Sequence, residues 1–213
     1  MLQSYSSETS VQGIRSKYGI EVLAGSNPTL VHAVAVALEK LDAGLVKQCG
    51  IGYLGFEDLG VSQKYGPNHG YCRIRGDKPK ELVLNTQLVD DPLLFKDSAG
   101  RTMDRFQHTL YHELGHGWDY SKGEISMEDD WLLLSGWSQY GSAGKVRVVV
   151  GSDELDEELV GRWYYDPNAE FVRFYARLDP YEDMADTFAF VVSGLHEFVP
   201  KNKLDFFKKH KVV

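Results

Sequence analysis

The chain has two cysteines in 213 residues, and neither has a partner at C-x-x-C spacing. That absence removes a cysteine zinc ribbon or finger from consideration, and one conceivable bridge says little about an oxidising compartment. Cys49 and Cys72 are expected as two separate thiols. Positive charge is also scarce. There are 23 Lys and Arg against 31 Asp and Glu, a formal net charge of -8, so nucleic-acid binding through a basic face is excluded as a first reading. The cations that do cluster, Lys208, Lys209 and Lys211, read as a solvated helix end.

Long apolar runs are missing too. The most apolar early stretch, "LVHAVAVAL", falls well short of the ~20 residues of a membrane span. The first residues, "MLQSYSSETSVQGIRSKYG", have no charged start followed by an apolar core, as a Sec signal peptide requires. The expectation is a soluble protein without a membrane span, either cytoplasmic or exported by a signal-less route. Internal repeats and low-complexity tracts are absent.

What remains is an ordinary globular composition, 43% hydrophobic and 25% charged, with 12% aromatic residues to wall a cleft. The length suits a single domain, 1–213, with an N-terminal α/β lobe over about 1–120 and a mostly helical lobe over about 121–213. "YGIEVLA" (18–24) reads as a strand. A helix follows from Ser26 or Asn27 to Gly50, with Pro28 in its first turn and an apolar stripe through Leu30, Val34, Leu38, Leu41 and Leu45. His32 on this helix reads as an ordinary core or surface residue. Strands are expected near "GYLGF", "YCRIR" and "ELVLN" (81–85), then a helix over about Thr102–Tyr120. Beyond it, "WLLLSGW" reads as a short helix and turn, "KVRVVV" (145–150) as a strand, and "SDELDEEL" as an exposed loop or short helix. Asp179-Pro180 opens a helix over 180–195, and "NKLDFFKKHK" forms a terminal amphipathic helix. Strands before the central helix and helices after it predict an α+β fold, a mixed sheet backed by helices.

The chemistry-bearing stretch is "HTLYHELGHGWDY" (108–120). His112 and His116 are four apart, on one helix face, and can offer two nitrogens to one metal ion. Catalytic zinc takes three protein ligands and a water, and Glu113, beside the first histidine, is placed to act as general base. Gly115 costs about 1 kcal/mol in helix propensity, which suggests that space near the metal is needed. The third ligand does not come from a continued helix pattern, since Asp119 and Lys122 occupy the positions where that class has glycine and histidine. A helix carries Asp119 past the metal, so Asp119 is expected beside the ligands or in the cleft wall.

The favoured source is "YEDMADTFAF", 66 positions (182 − 116) beyond His116. There Glu182 would bind zinc, and Asp186, one turn on, would accept the free ring N–H of His112. The bland alternative is an acidic N-terminal turn favoured by the helix dipole. His108 lies one turn too early to share the ion and reads as a cleft-rim or surface residue. Trp118, Trp131 and Trp137 read as core.

These blocks resemble the gluzincin metallopeptidases, and within them the catalytic domain of anthrax lethal factor and related bacterial peptidases. Those proteins carry H-E-F-G-H with an aspartate three residues on, where this chain has "HELGH" and Asp119. Their later helix reads like E-F-F-A-E-A-F, where this chain has "EDMADTF" from Glu182. They also place a tyrosine seven residues before the ligand glutamate, an offset that lands on Tyr175. The likeness covers about 105–194.

It implies a zincin-like fold, one Zn2+ per chain held by His112, His116 and Glu182, and hydrolysis of a protein or peptide substrate with Glu113 as base. Tyr175 would stabilise the oxyanion, with Tyr181 as its rival and Tyr164 and Tyr165 as weaker ones. It also places "ELVLN" as the edge strand that pairs with extended substrate. Two other functions fit the same residues: a binding module on a zincin scaffold, and zinc-dependent hydrolysis of a non-peptide amide.

Overall fold

The computed structural model describes residues 7–62, 66–67, 69–74, 80–88, 94–139, 146–147 and 163–213. Helix α1 (Ser7–Tyr18) leads into a short strand, β1 (Glu21–Val22). Asn27 caps α2 (Pro28–Glu39) by accepting the Thr29 N–H at 2.9 Å. The single helix expected up to Gly50 is in fact two. Asp42 restarts the helix by accepting the Leu45 N–H at 2.8 Å, giving α3 (Ala43–Gln48). Asp42 is a cap within an unbroken apolar stripe, and the stripe hid the break.

The main sheet has the order β1-β2-β6-β5, with β2 at Ile51–Glu57, β5 at Gly70–Arg73 and β6 at Lys80–Asn85. A small hairpin, β3 (Val61–Ser62) with β4 (Gly66–Pro67), lies between β2 and β5 in the chain. Strands β1, β2 and β6 run parallel, and β5 runs antiparallel to β6 with Cys72 opposite Leu82. "ELVLN" is therefore an inner strand, and the edge expected of it belongs to β5. Having β2 on one side and β5 on the other explains why Leu82, Val83 and Leu84 are all buried.

A second hairpin, β7 (Leu94–Lys96) with β8 (Thr102–Asp104), delivers the chain to the central helix. Asp104 caps α4 (Arg105–Ser121), accepting the Gln107 N–H at 2.7 Å. The helix starts three residues later than expected because Thr102–Asp104 is spent on the hairpin. The buried ammonium of Lys80 on β6 donates to the carbonyls of Cys49 (3.0 Å) and Gly117 (2.8 Å) and to Ser121. It pins the last turns of α4 to the sheet.

After a 3-10 turn (Ile125–Met127) come α5 (Asp129–Ser135) and a small antiparallel sheet. That sheet has the order β10-β11-β9, from β9 (Trp137–Ser138), β10 (Val146–Arg147) and β11 (Tyr164–Tyr165). Val146–Arg147 fits the strand expected in 145–150, whereas "SDELDEEL" lies outside the described residues. Asp179 caps α6 (Pro180–Val192) by accepting the Glu182 N–H at 2.8 Å, and α7 (Lys201–Lys209) follows.

The result is a mixed α and β architecture, with seven α-helices and a mixed sheet among the described residues. One hydrophobic cluster runs from Ile14 to Val212, with Trp118, Phe188 and Phe207 packed ring against ring. Trp118, Trp131 and Trp137 are buried, as expected. No helix among the described residues is long and apolar enough to cross a membrane.

Helix α4 is sandwiched between the sheet and α6. Gly115 faces α6, and an added Cβ there would lie 2.9 Å from Ala185 Cα and 3.2 Å from Phe188 Cβ. The glycine therefore makes room for a helix, not for a metal. Replacing it is expected to separate the two helices. Overpacking of ~1–3 kcal/mol exceeds the ~1 kcal/mol of propensity that alanine recovers. A thermal melt of Gly115→Ala should show a lowered Tm, and a Tm at or above wild type would contradict this packing.

Candidate metal centre

Two helices and one strand assemble the site. Helix α4 supplies His112, Glu113 and His116, and the first turn of α6 supplies Glu182. The Asp179 cap fixes where that turn begins, and with it the position of Glu182.

His112 Nε2 lies 3.0 Å from His116 Nε2 and 3.0 Å from Glu182 Oε2, and His116 Nε2 lies 3.6 Å from the same oxygen. Residues separated by 66 positions (182 − 116) thus meet in one triangle. On the other side of its ring, His112 Nδ1 lies 2.8 Å from Asp186 Oδ1. A carboxylate can only accept, so Nδ1 carries a proton, and Nε2, on the triangle side, is the nitrogen left to bind a metal. Glu182 Oε2 is buried, with the two imidazoles as its ion-pair partners.

Two imidazole nitrogens and a carboxylate oxygen converge within 3.6 Å, and either protons on the imidazoles or a metal cation can balance the carboxylate there. Tetrahedral zinc with bonds of ~2.0–2.1 Å would set its donors about 3.3 Å apart, which the triangle's edges bracket. Two imidazoles and a carboxylate are also a donor set suited to zinc. His112, His116 and Glu182 therefore fit the ion the sequence implied.

A second trio, His108, His112 and Asp186, is as compact but fits a metal poorly. His108 Nε2 is 3.1 Å from Asp186 Oδ1, while Arg173 Nε donates to Asp186 Oδ2 at 2.6 Å. The guanidinium already supplies the positive charge there, and a metal would have to displace the His112 Nδ1 proton. His108 itself is a correction to the sequence reading. It is 5% exposed and packed against Phe95 and Phe190, with ring centroids 5.4 and 5.9 Å away, not at a rim. Its face of α4 is covered by α6 and the β7–β8 hairpin, which spacing along one helix cannot reveal.

The electrostatics follow from burial and these contacts. Burial works to lower His112, but Asp186 and Glu182 raise it well above the ordinary histidine value. Burial works to raise Glu182, yet His116 and His112 hold it well below the usual carboxylate range. The donors that attract a proton here attract a cation by the same field. Burial drives His108 down to about 4, so its ring is neutral. Glu113 is buried, and burial pushes its carboxyl up, the direction that suits a proton acceptor. The Cys72 backbone N–H donates to it, tying the residue to edge strand β5.

A cleft of about 370 Å³ opens over the triangle, bordered by β5 from Gly70 to Cys72 and by Ile74, with Glu113, Asp119, Glu124, Tyr175 and Tyr181 around it. Tyr175 sits in a 3-10 turn (Tyr175–Arg177), 41% exposed, its ring edge-to-face with His112 at 5.9 Å. Tyr181 also borders the cleft, but its hydroxyl already donates to Glu124 at 3.0 Å. Burial raises it to about 12, with Glu124 adding to the rise. Tyr165 packs against Trp137 and Phe171 at 5.7 and 5.3 Å and, like Tyr164, does not line the cleft. Asp119 accepts from Ser126 N–H (2.8 Å) and Oγ–H (2.6 Å), so it fastens the turn after α4 while facing the cleft. Cys49 and Cys72 are free thiols, each pushed up to about 12 by burial.

Compared with protein-family models and with curated proteins, the chain matches none.

Proposed function

We propose that the protein is a zinc metallopeptidase of the gluzincin type, on a zincin-like fold, with one Zn2+ held by His112, His116 and Glu182. The observation that carries this reading is the triangle of His112 Nε2, His116 Nε2 and Glu182 Oε2, with Glu113 beside it in an open cleft.

Zinc bound there supplies a Lewis acid for the scissile carbonyl and lowers the pKa of water to about 7. Glu113 takes the proton from the attacking water and returns it to the leaving amine. Its buried, raised carboxyl is suited to both halves of that exchange. The Tyr175 hydroxyl donates to the carbonyl oxygen as negative charge builds on it, a contribution of about 2.7–4 kcal/mol for donors of this kind. Tyr175 is preferred to Tyr181, whose proton is committed to Glu124. Asp186 holds the His112 ring in the tautomer that binds metal. Asp119 borders the cleft and keeps its wall in place through Ser126.

Strand β5 is the outer strand of the main sheet and borders the cleft, so an extended peptide can add to it by backbone pairing. This favours a peptide or protein substrate over a small amide.

The test is a peptide-library digest with the metal content measured in parallel. The expected result is one zinc per chain and cleavage that stops when a chelator removes it and returns when zinc is restored. Stoichiometric zinc with no peptide cut would leave a metal-binding scaffold, and cleavage indifferent to chelation would overturn the reading.

A further inference from the structure

Arg173 lies outside the cleft lining, nine residues (182 − 173) before Glu182, and no motif marks it. Its guanidinium nevertheless meets both halves of the site. Nε donates to Asp186 Oδ2 at 2.6 Å, while Asp186 Oδ1 lies 2.8 Å from His112 Nδ1 and 3.1 Å from His108 Nε2. The two carboxylate oxygens are thus divided, one for the guanidinium and one for the histidines. A carboxylate fixed at both oxygens cannot rotate about its terminal torsion, which is otherwise broad. The ring it orients is then fixed as well. The same guanidinium lies over the Tyr175 ring, 5.0 Å from its centroid, on a residue that also meets His112 edge-to-face. Tyr175 sits on a short 3-10 turn packed beside α6 and is 41% exposed, so contacts to Arg173 and His112 bear on where its ring lies.

We propose that Arg173 is the positioning residue of this centre, one guanidinium that fixes both the carboxylate orienting His112 and the ring of Tyr175. The inference deepens the metallopeptidase reading and rests on it for the role of Tyr175. Its link to His112 through Asp186 stands without any turnover. Arginine suits the double task because a planar cation can donate along its edge and stack on its face at once. A lysine ammonium keeps a donor for Asp186 but has no planar face to stack on Tyr175. The two contacts are therefore separable by substitution.

The experiment compares Arg173→Met and Arg173→Lys with wild type, after melts show both variants folded. In Arg173→Met, zinc affinity by chelator competition should fall about 10–100-fold, the usual cost of losing an outer partner of a metal-bound histidine. In Arg173→Lys the zinc affinity should largely return, while kcat stays low with KM little changed. Combining Arg173→Met with Tyr175→Phe should lower kcat by less than the product of the single effects.

In the zinc-free protein, the His112 Nδ1 proton resonance should move in Arg173→Met and recover toward wild type in Arg173→Lys. That reading needs neither metal nor activity. If wild type itself binds no zinc or cuts nothing, the metallopeptidase reading fails, and the resonance still decides the link from Arg173 to His112. Unchanged zinc affinity and an unmoved resonance in Arg173→Met would overturn the inference, as would kcat losses that multiply fully in the double variant.

Discussion

Glu113→Gln is expected to abolish measurable peptide hydrolysis while leaving zinc in place. Glutamine keeps the size of the side chain and can still accept the Cys72 N–H, so strand β5 should stay where it is. What disappears is a group able to take a proton. Positioned acid–base groups contribute about 10²–10⁴-fold, and Glu113 is asked to act in both directions of one cycle, so kcat should fall by at least that range. Glu113 contributes no atom to the triangle of donors, so the zinc content and the chelator titration should match wild type. The checks are kcat and KM on one cleavable peptide, with elemental analysis of the same sample. A variant within a few-fold of wild type would sink Glu113 as the base.

The largest expected effect on stability comes from Lys203→Met. Lys203 Nζ reaches both carboxylate oxygens of Asp183, at 2.6 and 2.8 Å, and the pair is essentially enclosed, at 1% and 0% exposure. The Trp137 indole donates to the same carboxylate at 3.0 Å, and the ammonium lies 4.4 Å from the Phe171 ring centroid. Burial pushes Asp183 up and Lys203 down, each opposed by its partner. Removing the cation strands a buried carboxylate, at about 3–5 kcal/mol. For a domain of this size that is a Tm lower by roughly 6–20 °C. Adding Asp183→Asn should recover much of the loss, since asparagine can still accept from Trp137 and leaves no charge. Asp183 adjoins Glu182, so the pair also holds the first turn of α6 where the site needs it. A Tm unchanged in Lys203→Met would show that the pair is not the anchor its burial implies.

The readable parts of this site were written in local chemistry. Asp179-Pro180 before α6 is a capping signal, and that helix starts on it. The four-residue spacings of His112 with His116, and of Glu182 with Asp186, depend only on helix periodicity. They come together as a set of donors and a histidine partner.

What stayed hidden depends on neighbours far away in the chain. His108 looks like an exposed rung until α6 and the β7–β8 hairpin cover it. Gly115 looks like room for a metal until Ala185 arrives against it. "ELVLN" looks like an edge strand because nothing in its own residues says that β5 will pair outside it. Arg173 sits in a stretch with no periodicity, and only the fold brings it to Asp186.

A crystal of the zinc-loaded protein, with anomalous differences collected on both sides of the zinc edge, tests the metal centre most directly. The expected result is one strong peak per chain, bonded to His112 Nε2, His116 Nε2 and Glu182. A peak on His108, His112 Nδ1 and Asp186 instead, or no peak within reach of His116 and Glu182, would contradict it.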